Sequence, residues 1–243
     1  MLETLPKLEF ETISAGAKTT AVIVAAGSAV RMEGICKITA PICGIPAIVH
    51  TLRAYDRCDD IANVVLVARE DLIGKLQNCV KEFEILKPVQ IVAGGDTRAQ
   101  SALNGAVAAK CEFVAIADGA RVLTTPELIS RVCVAAYEFD AAIPAIKAID
   151  TIKHVKNSVV DATLNRDEIM QVQTPQVIKR ELYVKIAQKA IEQNLNFTDD
   201  AAILEHFGEI VRVVEGEKFN IKITTQDDIN LAEFLLKMRG EGV

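Results

Sequence analysis

Thr20–Gly27 reads TAVIVAAG, an uncharged run of β-branched and small residues that stops at a glycine. A run without polar alternation fits a strand buried on both faces, and such strands belong to parallel sheets covered by helices. Comparable runs follow at 63–68 (NVVLVA), 89–94 (VQIVAG), 113–118 (FVAIAD) and 140–146 (DAAIPAI). Between them lie amphipathic stretches that predict helices at 46–57, 71–83, 97–109 and 125–139. The alternation predicts an α/β fold with a mostly parallel, doubly wound, Rossmann-like sheet flanked by helices.

The pattern changes at Lys147–Gln173, which is polar and β-branched and predicts a hairpin projecting from the sheet. Helices at 179–193, 199–207 and 226–239 and a strand at IVRVVEG (210–216) complete the expected order. Residues 1–18 lack periodicity and are expected to form an extension ahead of a single domain spanning 19–243.

The chain has 243 residues, half of them apolar, so a sizeable core can form. Its formal charge of -6 argues against broad nucleic-acid or anionic-membrane binding. No apolar stretch approaches the roughly 20 residues that span a bilayer. Acids in the first eighteen residues argue against a signal peptide, so a cytoplasmic location is expected. Six scattered cysteines without a C-x-x-C pair read as buried, reduced thiols.

In an open parallel sheet, ligands bind beyond the carboxyl ends of the strands. After the first strand come Ala25, Ala26 and Gly27, then Arg31 and Lys37. Small residues there let a ligand approach the backbone, although a strand ending in Ala-Ala-Gly also serves as a bare turn. After the third strand comes GGDTRAQS (94–101), a tight turn of two glycines and Asp96 into a helix whose first turn carries Arg98 and Ser101, so that its N-terminus, with Gly95, faces the rim; Asp96 reads either as a ligand group or as the helix N-cap. After the fourth comes DGAR (118–121), where Asp118 partners a cation or hydroxyl, or pairs structurally with Arg121. Lys222, in NIKIT (220–224), reads as a strand-edge lysine. His50, His154 and His206 lie beside no plausible nucleophile and in no metal-ligand spacing, which disfavours hydrolase readings.

AAGSAVRM, Lys37, GGDTRAQS, DGAR, IDTIK, LNRDEIMQVQTPQ, TDDAA and VEGEKFNIKITTQDDINLAE occur in an order and spacing that resemble the cytidylyltransferases of isoprenoid biosynthesis, from about Thr20 to Met238. The resemblance implies transfer of a cytidylyl group from CTP to 2-C-methyl-D-erythritol 4-phosphate with release of pyrophosphate. The related ribitol-5-phosphate enzymes, and a non-catalytic nucleotide-binding relative, are the alternatives.

By that resemblance Arg31, Lys37 and Lys222 stabilise the transition state. Ala25, Ala26, Gly27, Gly95, Asp96, Ser101 and Asp118 bind CTP, and Arg121, Thr151, Arg166, Thr174 and Thr198 bind the acceptor. The triphosphate holds Mg²⁺, with Asp118 as a further candidate ligand. The segment 147–173 is expected to be a dimerisation arm that brings some acceptor-site residues from the neighbouring subunit. The sequence departs from the family at Ala29, where glycine is usual, in a path to Lys37 one residue shorter, at Ala117 in place of histidine and at Val122 in place of proline. These changes are expected on the ligand rim.

Overall fold

The computed structural model describes residues 18–27 and 36–241. Arg31 and Ala29, and the extension 1–17, lie outside the described residues. The first apolar run forms β1 (Thr19–Ala25), an interior strand of the main sheet. It pairs in parallel with β4 (Ile61–Ala68) on one side and β6 (Phe113–Asp118) on the other, with Val22 level with Val65 and Ile116. β5 (Val89–Ala93) adds in parallel to β4. Beyond β6 the sheet is mixed. β11 (Gln176–Lys179) runs antiparallel to β6 and to β7 (Ala141–Lys147), while β12 (Arg212–Glu215) joins β7 in parallel and β10 (Met170–Val172) joins it antiparallel.

Period-2 alternation divides the core. Ala21, Ile23 and Ala25 point into one layer with α1 (Ala47–Asp56), α2 (Ile73–Glu82), α4 (Pro126–Phe139) and α7 (Gln226–Met238). Val22 points into the other, with α3 (Arg98–Ala108), α5 (Arg180–Glu192) and α6 (Asp200–His206). Gly105 lets α3 lie flush on the sheet, since a Cβ there would stand 2.3 Å from Cγ1 of Val22.

The caps correct one expectation. Thr97, not Asp96, caps α3: its Oγ1 accepts from the Gln100 N–H at 3.0 Å. Thr125 caps α4 in the same way, with Pro126 at the first helical position. The run expected as a strand at 210–216 is ordered as β12 only over Arg212–Glu215, and NIKIT is irregular rather than a strand.

The polar segment after β7 forms a two-stranded hairpin, β8 (Lys153–Lys156) and β9 (Val159–Thr163), preceded by β2 (Pro41–Ile42) and β3 (Ile45–Pro46) as the other small ribbon. Its turn residues Asn157 and Ser158 both have positive φ, 49° and 64°, the twist that matches a tight hairpin. The ends of the segment, Lys147 and Met170, pair with each other in the main sheet. All six cysteines are free thiols; Cys58, Cys79 and Cys133 are buried, whereas Cys36, Cys43 and Cys111 are only half-buried. Among the described residues, no helix is long and apolar enough to cross a membrane.

Candidate active site

The carboxyl ends of β1, β5 and β6 meet around a cavity of about 350 Å³. β6 delivers Asp118, whose side chain keeps only 12% of its surface exposed. Three cations surround its carboxylate. The Lys222 Nζ lies 2.9 Å from Oδ2, the Arg121 Nε 3.8 Å from Oδ2, and the Arg98 Nε 3.5 Å from Oδ1. Burial pushes this carboxyl up, but Lys222, Arg98 and Arg121 together outweigh it and hold the group below the ordinary carboxylate value. Asp118 is therefore the anionic hub of a cationic cluster, which joins the two roles the sequence left open.

The loop after β6 and the irregular loop that carries Lys222 are clipped together. The Ile223 N–H donates to Ala120 O at 2.9 Å, and a guanidinium N–H of Arg121 donates to Asn220 O. Asn220 is wholly buried; its Nδ2 donates to Thr174 O at 2.9 Å and its Oδ1 lies 2.9 Å from Thr124 Oγ1. Thr51 of α1 donates to Gly119 O at 3.1 Å. These bonds fix Lys222 without a strand to carry it.

On the α3 side, Ser101 Oγ accepts from the Gly95 N–H at 3.1 Å and donates to Thr97 O at 2.9 Å. Gly94 has no room for a side chain: a Cβ would stand 2.4 Å from Cβ of Ala26 and 2.9 Å from Ser101 Oγ. The wall beside the turn is thus backbone and small side chains, with Asp96 exposed at its edge.

The structure brings Ala25, Ala26, Gly27, Lys37, Gly95, Asp96, Ser101, Asp118 and Lys222 to this one cavity. Lys37, Arg69, Arg98 and Lys222 line it against two carboxylates, Asp96 and Asp118, so the cavity is cationic and suits a polyphosphate.

Comparison with known proteins completes the picture. Residues 19–238 match the family described as 2-C-methyl-D-erythritol 4-phosphate cytidylyltransferase. The chain belongs to this family. A cytidylyltransferase of that description from Caldanaerobacter subterraneus is 39% identical over 224 residues, 90% of this chain and 98% of the relative. One from Dehalococcoides mccartyi is 39% identical over 222 residues, 90% of this chain and 96% of the relative. The crystal structure of 4-diphosphocytidyl-2C-methyl-D-erythritol synthase from Anaerococcus prevotii superposes with a TM-score of 0.82 at 32% identity, covering 91% of this chain and 97% of that one.

The other described residues named from the family resemblance, Arg121, Thr151, Arg166, Thr174 and Thr198, lie outside the cavity wall of this cytidylyltransferase. Arg121 stands beside Asp118, its Nε buried without a hydrogen-bond partner among the described residues. Thr174 is buried and its hydroxyl accepts from the Asp118 N–H at 3.1 Å, so within the chain it braces the end of β6. Thr151, Arg166 and Thr198 are exposed, and an Nη1 N–H of Arg166 donates to Ile149 O at 2.9 Å. Two of the departures are not on the rim: Ala117 and Val122 are core residues, 1% and 3% exposed, packed away from the cavity.

Arg69 lines the cavity without being a candidate from sequence, and Arg98 lines it where the sequence placed it, at the rim, but with no role assigned. Arg69 directly follows β4, the one strand of the parallel set whose end yields no candidate from its residue types, and it forks onto Asp71 at 2.9 and 2.6 Å. Arg98 opens the helix facing the rim, as its position in GGDTRAQS predicts.

Proposed function

We propose that this chain transfers the cytidylyl group of CTP to 2-C-methyl-D-erythritol 4-phosphate. A phosphate oxygen of the acceptor attacks the α-phosphorus of CTP, the bond to the β-phosphate oxygen breaks, and pyrophosphate leaves. The attacking oxygen is already anionic, so no general base is required. What the protein must supply is position and positive charge.

The observation that carries this reading is the cationic cavity at the strand ends, with Lys222 held by Asp118. Lys222 and Lys37, with Arg31, would neutralise charge building on the α-phosphoryl group. The small-residue wall of Ala25, Ala26, Gly27, Gly95 and Ser101, with Asp96, would receive the cytosine, and Asp118 would orient Lys222. Arg121, Thr151, Arg166, Thr174 and Thr198 would serve the acceptor side, some of them across a subunit boundary.

Among the described residues no group of three His, Cys, Asp or Glu side chains could hold a metal. Asp118 is the one carboxylate inside the cluster, and it is committed to three cations. A Mg²⁺ ion would be carried here mainly by the triphosphate, with Asp118, the carboxylate of that cluster among the described residues, as its candidate protein ligand. When bound, it would offset triphosphate charge and polarise the phosphoryl oxygens.

A homodimer through the β8–β9 hairpin belongs to the same proposal, within a single domain over 19–243. The hairpin leaves Val155, Val159 and Val160 51%, 68% and 58% exposed, and an isolated two-stranded ribbon is marginal in water.

The Caldanaerobacter and Dehalococcoides relatives are erythritol-phosphate enzymes, which favours that acceptor over ribitol 5-phosphate. A pyrophosphate-release assay with CTP and each acceptor in turn tests the reading. Release with the erythritol phosphate is expected. Release only with ribitol 5-phosphate would transfer the chain to the other branch, and release with neither would leave a non-catalytic nucleotide binder.

A further inference from the structure

A second cavity, of about 630 Å³, lies where the end of α1, the head of α4 and the end of α7 meet. It shares no lining residue with the first. Its size falls within the range of small-molecule pockets, roughly 300–1,000 Å³.

Arginines dominate its wall. Arg53 and Arg57 come from the end of α1 at a spacing of four residues, so two like charges stand on one helix face and repel. Neither pairs with a carboxylate within 4 Å among the described residues; Arg53 meets only the Phe83 ring, 5.7 Å from its centroid. Arg239, at the end of α7, donates from Nη1 to Leu123 O at 3.0 Å, and its other N–H groups have no bond to a described residue. Glu127 and Glu241 are the carboxylates of the wall, and neither is paired with these arginines. His50 adds no charge, because burial pushes its imidazole down and its Nε2–H donates to Ile42 O at 2.9 Å.

The head of α4 adds one more donor. Thr125 Oγ1 takes the Leu128 N–H, Thr125 O takes the Ile129 N–H, and Pro126 has none. The Glu127 N–H is the first-turn donor that remains without a partner among the described residues, at the positive end of the helix dipole.

We propose that this cavity is an anion site separate from the catalytic one, and that it takes a small molecule carrying a phosphate group. Arg53, Arg57 and Arg239 bind the phosphate oxygens, with the Glu127 N–H as a further donor. A phosphate is favoured over a carboxylate because it brings three free oxygens and a charge of about -1.5 to -2 to three guanidiniums, whereas a carboxylate brings two oxygens and one charge. A bare phosphate is far smaller than the cavity, and Glu127 and Glu241 can accept from hydroxyl groups on an organic body. The site stands apart from the cytidylyl-transfer reading, since the two cavities have no wall residue in common.

The test is calorimetric titration of the full chain with glycerol 3-phosphate, inorganic phosphate and acetate. Glycerol 3-phosphate is expected to bind the parent, about tenfold more weakly to Arg53→Ala, Arg57→Ala and Arg239→Ala, as loss of one charge-assisted contact implies, and within about twofold of the parent to Lys222→Ala. Arg57→Lys should recover part of the loss. Pyrophosphate release by Arg53→Ala and Arg57→Ala should match the parent. Tighter binding of glycerol 3-phosphate than of inorganic phosphate assigns the site to an organic phosphate, and equal binding assigns it to the free ion. Acetate binding as tightly as either would overturn the phosphate class. Phosphate binding that is lost in Lys222→Ala and kept in the arginine variants would place it in the catalytic cavity and overturn the second site, as would no binding at all. Should Arg239→Ala fail to fold, the α1 pair decides.

Discussion

The ammonium of Lys222 lies 2.9 Å from Oδ2 of Asp118, although Asp118 ends strand β6 and Lys222 sits on an irregular loop far along the chain. The same carboxylate faces Arg98 and Arg121, so one buried negative charge keeps three positive ones together. Asp118→Asn would leave those cations mutually repelling at a buried site. The expected loss is about 3 kcal/mol of stability in urea melts, with turnover reduced by about a hundredfold. Lys222→Ala should reduce turnover by a similar factor with a much smaller loss of stability, because its side chain is 39% exposed and solvent screens the pair.

The pH dependence of that stability gap has a defined sign. Burial works to raise the Asp118 carboxyl, but its three cations hold it below the ordinary value, so folding favours the ionised form. The contribution is therefore complete above the unfolded pKa of about 3.9 and is lost as pH falls through the lower folded value. Melts of the parent and of Asp118→Asn should differ by a constant amount from pH 7 to about pH 4 and converge below it. A gap that closes already near pH 6 would point to another group.

Two glycine substitutions should have opposite effects. A Cβ at Gly94 would lie 2.4 Å from Cβ of Ala26 and 2.9 Å from Ser101 Oγ, between β1 and α3. Gly94→Ala should cost about 1–3 kcal/mol through overpacking and raise KM for CTP, because the wall it displaces is the expected base pocket. Gly74 lies within α2, and a methyl group there would have nothing within 4 Å. Gly74→Ala should stabilise by about 0.5 kcal/mol and leave kinetics unchanged, by removing backbone freedom from the unfolded chain.

The parallel part of the sheet was legible because strands buried on both faces leave unbroken β-branched runs. The rim was legible because ligands gather where such strands end. What escaped reading has physical causes too. NIKIT alternates like an edge strand, yet its backbone bonds to Ala120, a partner no local pattern reveals. Asp96 and Thr97 are both good caps, and only the path of the turn selects Thr97. Ala117 and Val122 adjoin site residues in sequence, but their side chains belong to the core. Arg98 is defined by Asp200, a contact between helices that spacing alone does not encode.

The hairpin arm supplies the last prediction. Val155 and Val160 face each other across β8 and β9 in register, so they form one apolar patch on one side of the ribbon. At 51% and 58% exposure they are poorly suited to solvent, and covering such a patch removes about 25 cal/mol of unfavourable hydration per Å² of apolar surface. Replacing both with aspartate keeps the backbone pairing and the turn at Asn157 and Ser158 but places two like charges opposite each other on that face. Sedimentation of the parent at tens of micromolar should give a dimer, and the Val155→Asp, Val160→Asp variant a folded monomer. If acceptor-site residues come from the neighbouring subunit, that monomer should also lose acceptor affinity while retaining CTP binding. A parent that sediments as a monomer would remove the arm from the interface.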